Sequence, residues 1–354
     1  MSRFSRAGVC AIFVLASASA DAQWFELKTP GIPRTKDGKP NLTAPAPRTS
    51  GKPDLSGLWR FTSDPYNNNV TVDLNPEDIE PSIAALYKQR LEDLGKDDPA
   101  TFRCLPSGPR QIYAPTSWVR IVQMPTMVVM LYEDLIYRTI FMDGRELPRD
   151  PSPSVMGYSV GRWDGDTLVV DSIGFKDTTW LDFGGHAHSE ALKITERIKR
   201  GTFGRLDLDV RIEDLAFYKR AWTVPVRAEI VADTEMLEYV CNENQKDTEH
   251  LVGKASDEKK LAVKVAAAIL SRYVGSYTFI PPDDPNQKMR FNITLAGDVL
   301  LMDIGGKDKQ DMIPLSETTF SMMGIRIDFV GDNGVTTHLI FHIVEGDMKA
   351  TKDQ

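Results

Sequence analysis

Met156-Gly157-Tyr158-Ser159-Val160-Gly161-Arg162-Trp163 and Thr167-Leu168-Val169-Val170-Asp171-Ser172-Ile173 flank the turn Asp164-Gly165-Asp166. Each run is rich in β-branched and aromatic residues, and Asp-Gly suits the left-handed angles of a tight hairpin. Similar runs surround this hairpin: Trp118 to Met124, Met127 to Glu133, Ile136 to Met142, His188 to Arg200, Leu206 to Asp214, Ala221 to Val231 and Met236 to Asn242. About nine successive antiparallel strands are expected, and they need either stacked sheets or closure to cover their edges. The reading is an all-β, mainly antiparallel fold over residues 56–253, a lipocalin-like barrel or curled sheet that encloses a pocket.

A second, smaller β unit follows in residues 254–354, after a polar stretch and a short Ala-rich helix from Leu261 to Leu270. Its strands are expected at Tyr273 to Ile280, Met289 to Leu295, Val299 to Ile304, Thr318 to Met322, Ile325 to Val330 and Thr336 to Val344, with Gly297-Asp298 and Asn333-Gly334 as turns. One helix precedes the strands of the first unit, from Ile79 to Leu94, with Ile83, Leu86, Tyr87, Leu91 and Leu94 at helical spacing after Pro81. Residues 23–55 repeat Pro-Arg-Thr and Gly-Lys-Pro (Pro33, Arg34, Thr35, Gly38, Lys39, Pro40; Pro47, Arg48, Thr49, Gly51, Lys52, Pro53). Such density of Pro and Gly suits an extended arm ordered by docking.

Residues 1–22 carry Arg3 and Arg6, an apolar core from Val9 to Leu15 and a small-residue end at Ala20-Asp21-Ala22, the form of a secretory signal. The apolar core is far short of the roughly 20 residues that cross a bilayer, so removal and a periplasmic or secreted location are expected, without stable membrane insertion. The chain has 354 residues, with 42 Lys plus Arg against 50 Asp plus Glu and a net charge of -8. No basic block is present to neutralise a phosphate backbone, which argues against nucleic acid as a partner. Cys10 leaves with the signal, and Cys104 and Cys241 remain either as one disulfide or as two buried thiols.

The stretch Trp180-Leu181-Asp182-Phe183-Gly184-Gly185-His186-Ala187-His188-Ser189-Glu190 concentrates ionisable groups. Read as the start of a strand, His188, Glu190 and Glu196 share a face with Leu192, Ile194 and Ile198, whereas Ser189, Lys193, Arg197 and Lys199 face solvent. Polar groups on an apolar face must find partners or change protonation state, which is the setting for acid/base chemistry or ligand anchoring. His186, His188, Glu190 and Asp182 are the candidate catalytic residues. Trp163, Arg162, Trp180, Tyr158 and Glu196 are candidates for holding a substrate, and no cofactor is needed for proton transfer. His186-x-His188 also has the spacing of a metal pair, but no glutamate follows at the interval a cupin uses, where Leu192 and Lys193 stand.

Gly157-Tyr158-Ser159-Val160-Gly161 matches the serine-hydrolase elbow, yet a hairpin follows where a helix is required. Met124, Met127, Met130, Met142 and Met156, with Trp118, Tyr132, Phe141 and Trp222, supply adaptable apolar surface, either as plain core or around an apolar or aromatic guest. His338 and His342 are too far apart on one strand to chelate together and are expected to be a solvated or interface-facing pair.

Gly31-Ile32-Pro33-Arg34-Thr35, the run Gly157 to Val170, Gly185-His186-Ala187-His188-Ser189-Glu190 and Glu238-Tyr239-Val240-Cys241-Asn242-Glu243-Asn244 resemble a widespread family of exported bacterial proteins without an assigned reaction. The resemblance extends to about Gly253 and implies export, but no catalytic role. Tyr273-Val274-Gly275-Ser276-Tyr277 and Pro314 to Phe320 are similar to the small β domain appended to exported hydrolases. The combined expectation is a lyase, hydratase or isomerase acting on a small hydrophobic or aromatic molecule. A non-catalytic carrier is the first alternative, and a hydrolase using Ser159 or a metal at His186 and His188 is the second.

Overall fold

The Asp164-Gly165 turn joins two strands of a closed barrel in the computed structural model of the protein, which describes residues 27–353 apart from 64, 116–117, 244–253, 255–256, 258–259, 281–287, 304–308, 323, 333 and 344–345. The signal segment with Cys10, and also His250 and Asn244, lie outside the described residues. A small N-terminal hairpin, β1 (Arg48–Thr49) and β2 (Lys52–Pro53), belongs to the arm. The first barrel comprises β3 (Gly57–Thr62), β4 (Val119–Gln123), β5 (Met127–Tyr132), β6 (Tyr137–Phe141), β7 (Tyr158–Asp164), β8 (Thr167–Ile173), β9 (Lys193–Thr202), β10 (Arg205–Glu213) and β11 (Trp222–Ile230). Their order is β10-β11-β3-β4-β5-β6-β7-β8-β9, closed by the pairing of β9 with β10.

Three features depart from the sequence reading. Residues 236–240 are irregular and lead into a 3-10 turn at Cys241–Glu243, so the ninth strand is β3, inserted between β11 and β4. β6 and β7 pair in parallel, because the chain from Met142 to Gly157 crosses over instead of turning back. This barrel is therefore no simple up-and-down meander. β9 also begins at Lys193, five residues later than expected, because residues 174–192 form a long connection held by its own polar contacts.

Alternation works well on the long strands. Leu206, Leu208, Val210 and Ile212 of β10 and Val224, Val226 and Ala228 of β11 are buried, while Asp209, Arg211 and Thr223 are exposed. Pro225 is tolerated on β11 because β3 pairs only with Arg227 to Ile230, leaving no partner on that side that requires its N–H. The bore is filled by Trp59, Met130, Tyr132, Ile140, Leu168, Val170, Ile194 and their neighbours in one continuous core.

Between β3 and β4 lie α1 (Pro81–Glu92), α2 (Pro99–Arg103) and α3 (Arg110–Tyr113). This segment packs against the β8–β9 and β10–β11 connections: Glu80 N donates to Phe217 O at 2.9 Å, and the Trp222 indole donates to Val70 O at 2.8 Å. The arm is tied down by Arg34 on Asp233 and Arg48 on Asp166, and Phe203 N donates to Ala44 O at 2.7 Å.

The C-terminal unit is also a closed barrel, with β12 (Gly275–Phe279), β13 (Met289–Ala296), β14 (Val299–Asp303), β15 (Gln310–Pro314), β16 (Thr319–Met322), β17 (Ile325–Asp332), β18 (Val335–Ile343) and β19 (Gly346–Lys352) in sequence order. β15 and β19 were not anticipated. β19 offers only Met348 and Ala350 as apolar positions between Asp347, Lys349 and Lys352, too weak a pattern to read as a strand. The Ala-rich helix shrinks to α4 (Ala267–Leu270).

Candidate functional site

The connection between β8 and β9 brings ionisable side chains into a dry setting. An isolated bridge between Trp180 and Ala187 closes residues 181–186 into a tight loop, and Leu181 N donates to His186 O at 2.8 Å. Gly184 and Gly185 permit the close fit: a Cβ on Gly184 would lie 2.4 Å from Asn68 O, and Gly185 sits at φ +100° against the Arg90 side chain. Two buried tyrosines hold the loop from beneath, Tyr113 donating to Leu181 O and Tyr218 to Ala187 O. Burial, reinforced by the charge of Asp182, pushes both phenols well above their usual range, so they remain donors.

Asp182 is fully buried and its carboxylate accepts four hydrogen bonds. Gly185 N (2.8 Å) and His186 N (3.0 Å) bond Oδ1, and Val70 N (2.7 Å) and His186 Nδ1 (2.6 Å) bond Oδ2. An ionised carboxylate only accepts, so Nδ1 of His186 carries the proton. On the other side of the ring, Nε2 lies 3.0 Å from the Thr71 hydroxyl, and that hydroxyl is 2.9 Å from Asn69 Oδ1. Tyr87 of α1 stacks on the imidazole with centroids 3.7 Å apart, and Arg90 of the same helix lies over Trp180 and donates to Gly185 O at 2.7 Å. The result is a carboxylate–imidazole–hydroxyl relay sealed by a helix.

His188 occupies a different neighbourhood. Its Nδ1 donates to Ser189 O at 3.0 Å, its Nε2 lies 2.8 Å from Thr179 Oγ1, and Phe175 meets the ring edge-on. Burial pulls this imidazole below its usual range and keeps it neutral. Glu190 stands in an exposed turn ahead of β9, so the structure does not join it to either histidine. Ser189, the neighbouring residue, is instead bound through N and Oγ by the buried Asp214 at 2.6 and 2.8 Å.

All four ring nitrogens of His186 and His188 therefore face protein partners, and among the described residues no group of three or more His, Cys, Asp or Glu is placed to hold a metal ion. Ser159 is the second residue of β7 and buried, and its hydroxyl contacts Arg138 Nε (3.1 Å) and Ser172 Oγ (2.9 Å). The strained elbow of a hydrolase is not formed, which corrects the serine-nucleophile alternative.

The substrate-binding candidates are dispersed. Glu196 points into the bore as the alternation implied, where it pairs bidentately with Arg138, Nη1 to Oε1 at 3.1 Å. Trp180 forms part of the sealed loop. Arg162 is exposed and paired with Asp171, Tyr158 accepts from Arg145 at 3.0 Å, and Trp163 lines a cavity of about 250 Å³ beside Lys52, Gln123 and Met142. Thr71 and Arg138 had not been singled out. Arg138 was within reach of the alternation rule, since it shares a strand face with Ile140, whereas Thr71 lies in an Asn-rich loop without periodicity.

The Cys104–Cys241 disulfide is formed, with Cα atoms 5.6 Å apart. It borders a larger cavity of about 690 Å³ lined by residues of α2, the β5–β6 turn, Phe183 and Tyr239 to Asn242. His342 of the second barrel is half-buried and bridges Asp328 and Asp347 at 2.9 and 2.7 Å. Among the described residues no helix is long and apolar enough to cross a membrane. A comparison with protein-family models gives no match for this chain, and a comparison with curated proteins gives none either.

Proposed function

We propose that the protein is an exported enzyme that moves protons on a small, largely apolar or aromatic molecule, with Asp182 and His186 as its base and Thr71 as the hydroxyl they polarise. The observation that carries this reading is the order of the contacts, Asp182 Oδ2 to His186 Nδ1 at 2.6 Å and His186 Nε2 to Thr71 Oγ1 at 3.0 Å. Asp182 fixes the tautomer and stabilises the imidazolium that forms when Nε2 takes a proton. Elimination, hydration and isomerisation all need such a base, and none needs a cofactor. Tyr87 covers the ring, so a substrate reaches Nε2 only when α1 yields.

Small molecules extracted from the purified protein, identified by mass spectrometry, provide the compounds to test. Incubation in D₂O should exchange one of their C–H protons, and His186→Gln and Asp182→Asn should abolish exchange while preserving the circular dichroism spectrum. Undiminished exchange in folded His186→Gln would refute the assignment. A second reading, carriage without turnover, is favoured by the occupation of both His186 nitrogens by protein groups. In that case the same substitutions lower affinity and no exchange occurs in the wild type.

A further inference from the structure

The 690 Å³ cavity beside the disulfide has the size of a small-molecule site and a lining drawn from four separate stretches of chain. Leu105, Leu135, Tyr239 and Val240 are large apolar residues exposed around this one opening. Leu135 is held there at φ +62°, a left-handed backbone conformation uncommon for a branched apolar residue. Cys104 and Cys241 both line the cavity, so the disulfide ties one wall to the other.

The polar groups of the lining are unevenly satisfied. Arg110 is covered by Asp98 at 3.2 Å and Ser107 at 3.3 Å, and lies over Phe183. The Glu133 carboxylate accepts from Trp118 N at 2.9 Å and Leu237 N at 3.2 Å. Asp134 differs: Oδ2 accepts from the Gln111 amide at 2.5 Å, while Asp134 Oδ1 and Gln111 Oε1, both buried, have no hydrogen-bond partner among the described residues. Burial pushes the Asp134 carboxyl above the usual carboxylate range, the direction expected of an acid without a cation beside it. A carboxylate without a cation beside it, in the wall of a cavity with an apolar rim, defines the complementary guest.

We infer that this cavity binds a primary amine with an apolar or aromatic body, its ammonium bonded to Asp134 and its body against Leu105, Phe183 and Tyr239. The site goes beyond the proton-transfer reading and does not depend on it, since none of its anchoring groups belongs to the Asp182–His186–Thr71 relay.

Benzylamine, benzyl alcohol and benzoate serve as probes of equal body and different head group, titrated into the oxidised full chain at neutral pH and followed by chemical-shift changes of backbone amides. Benzylamine should bind at least about tenfold more tightly than benzoate, with the alcohol between them, and the shifts should centre on Leu105, Asp134 and Tyr239. Asp134→Asn should remove the preference for the amine, Tyr239→Ser should weaken all three probes, and His186→Gln should change none. Because Asp134→Asn retains an amide that can pair with Gln111, it is expected to fold, and the wild-type head-group series tests the inference without any variant. Equal binding of amine and benzoate, no binding at millimolar benzylamine, or shifts confined to the Trp163 cavity would each overturn it.

Discussion

The buried pair in the first barrel offers the sharpest test of the account of its interior. Arg138 and Glu196 have side-chain exposures of 1% and 0%. All five guanidinium N–H groups have a nearby acceptor: two meet Glu196, and the others meet Ser159 Oγ, Ser172 Oγ and the Met130 sulfur. Glu196→Leu removes the countercharge and leaves two N–H groups facing hydrocarbon. Breaking a buried pair in this way costs about 3–5 kcal/mol, a large share of the roughly 5–15 kcal/mol that holds a domain folded. At about 2–4 °C per kcal/mol for a domain of this size, the melting temperature should fall by roughly 6–20 °C.

The double variant Arg138→Met/Glu196→Leu should recover most of that loss, because both desolvation costs disappear together and an apolar pair fills the space. Ser159 and Ser172 already lie 2.9 Å apart and can satisfy each other. Thermal and urea unfolding of the wild type, the two single variants and the double variant give the coupling energy directly. A Glu196→Leu protein that melts within about 2 °C of the wild type would mean that water or a guest reaches the guanidinium, and the packed bore would have to be abandoned. Retention of the co-purifying molecule by the double variant would separately show that Glu196 does not hold it.

Three further outcomes follow from local geometry. Replacing Cys104 and Cys241 by serine opens a link between residues 137 positions apart; the chain-entropy model puts the loss at about 5 kcal/mol, to be read from urea midpoints, and a loss below about 1 kcal/mol would show that the unfolded chain is not what the bridge constrains. His188 is held neutral in the fold, so the unfolded chain binds the extra proton first: stability is undiminished above the unfolded value of about 6.5 and declines as pH falls below it toward the depressed folded value. Melting temperatures between pH 7 and 5 should show that decline in the wild type and a shallower one in His188→Gln. Gly184→Ala forces a methyl group against Asn68 O and the Tyr87 ring, an overpacking worth about 1–3 kcal/mol; equal melting temperatures for variant and wild type would contradict the close approach.

The parts of the fold legible in the sequence are those where period-two alternation is long and uninterrupted. β10 was bounded within a residue at each end, because its buried positions, Leu206, Leu208, Val210 and Ile212, are all aliphatic and alternate, and β8 was bounded correctly by its Leu168-Val169-Val170 run and the Asp-Gly turn before it. Glu196 was correctly placed inward by the same rule. Its partner obeys that rule too, since Tyr137-Arg138-Thr139-Ile140 sets Arg138 on the side of Ile140, and an inward Glu without a nearby inward cation was the signal to search for it. The rule failed at residues 188–192, where an apolar-looking face was extended back from β9 into a connection whose shape is set by Asp182, Asp214 and two glycines. Hydrophobic periodicity reports on packing and carries no information about backbone groups satisfied by carboxylates.

That failure explains why the relay was only half visible. Asp182 and His186 are four residues apart and were found together, but Thr71 and Tyr87 reach the imidazole only because β3 inserts between β11 and β4, carrying the loop with Thr71 and α1 over the β8–β9 connection. A closed barrel leaves this chemistry little room inside: its bore is core, and the strands lend rigidity while the end connections present the reactive groups. Both sites argued above are at such connections, one under α1 and the other between α2 and the β5–β6 turn. Arg110 touches both, donating to Asp182 O at 3.4 Å and belonging to the lining of the cavity. The path of a substrate to His186, by contrast, runs under α1 and its Tyr87, so each site can be perturbed without the other.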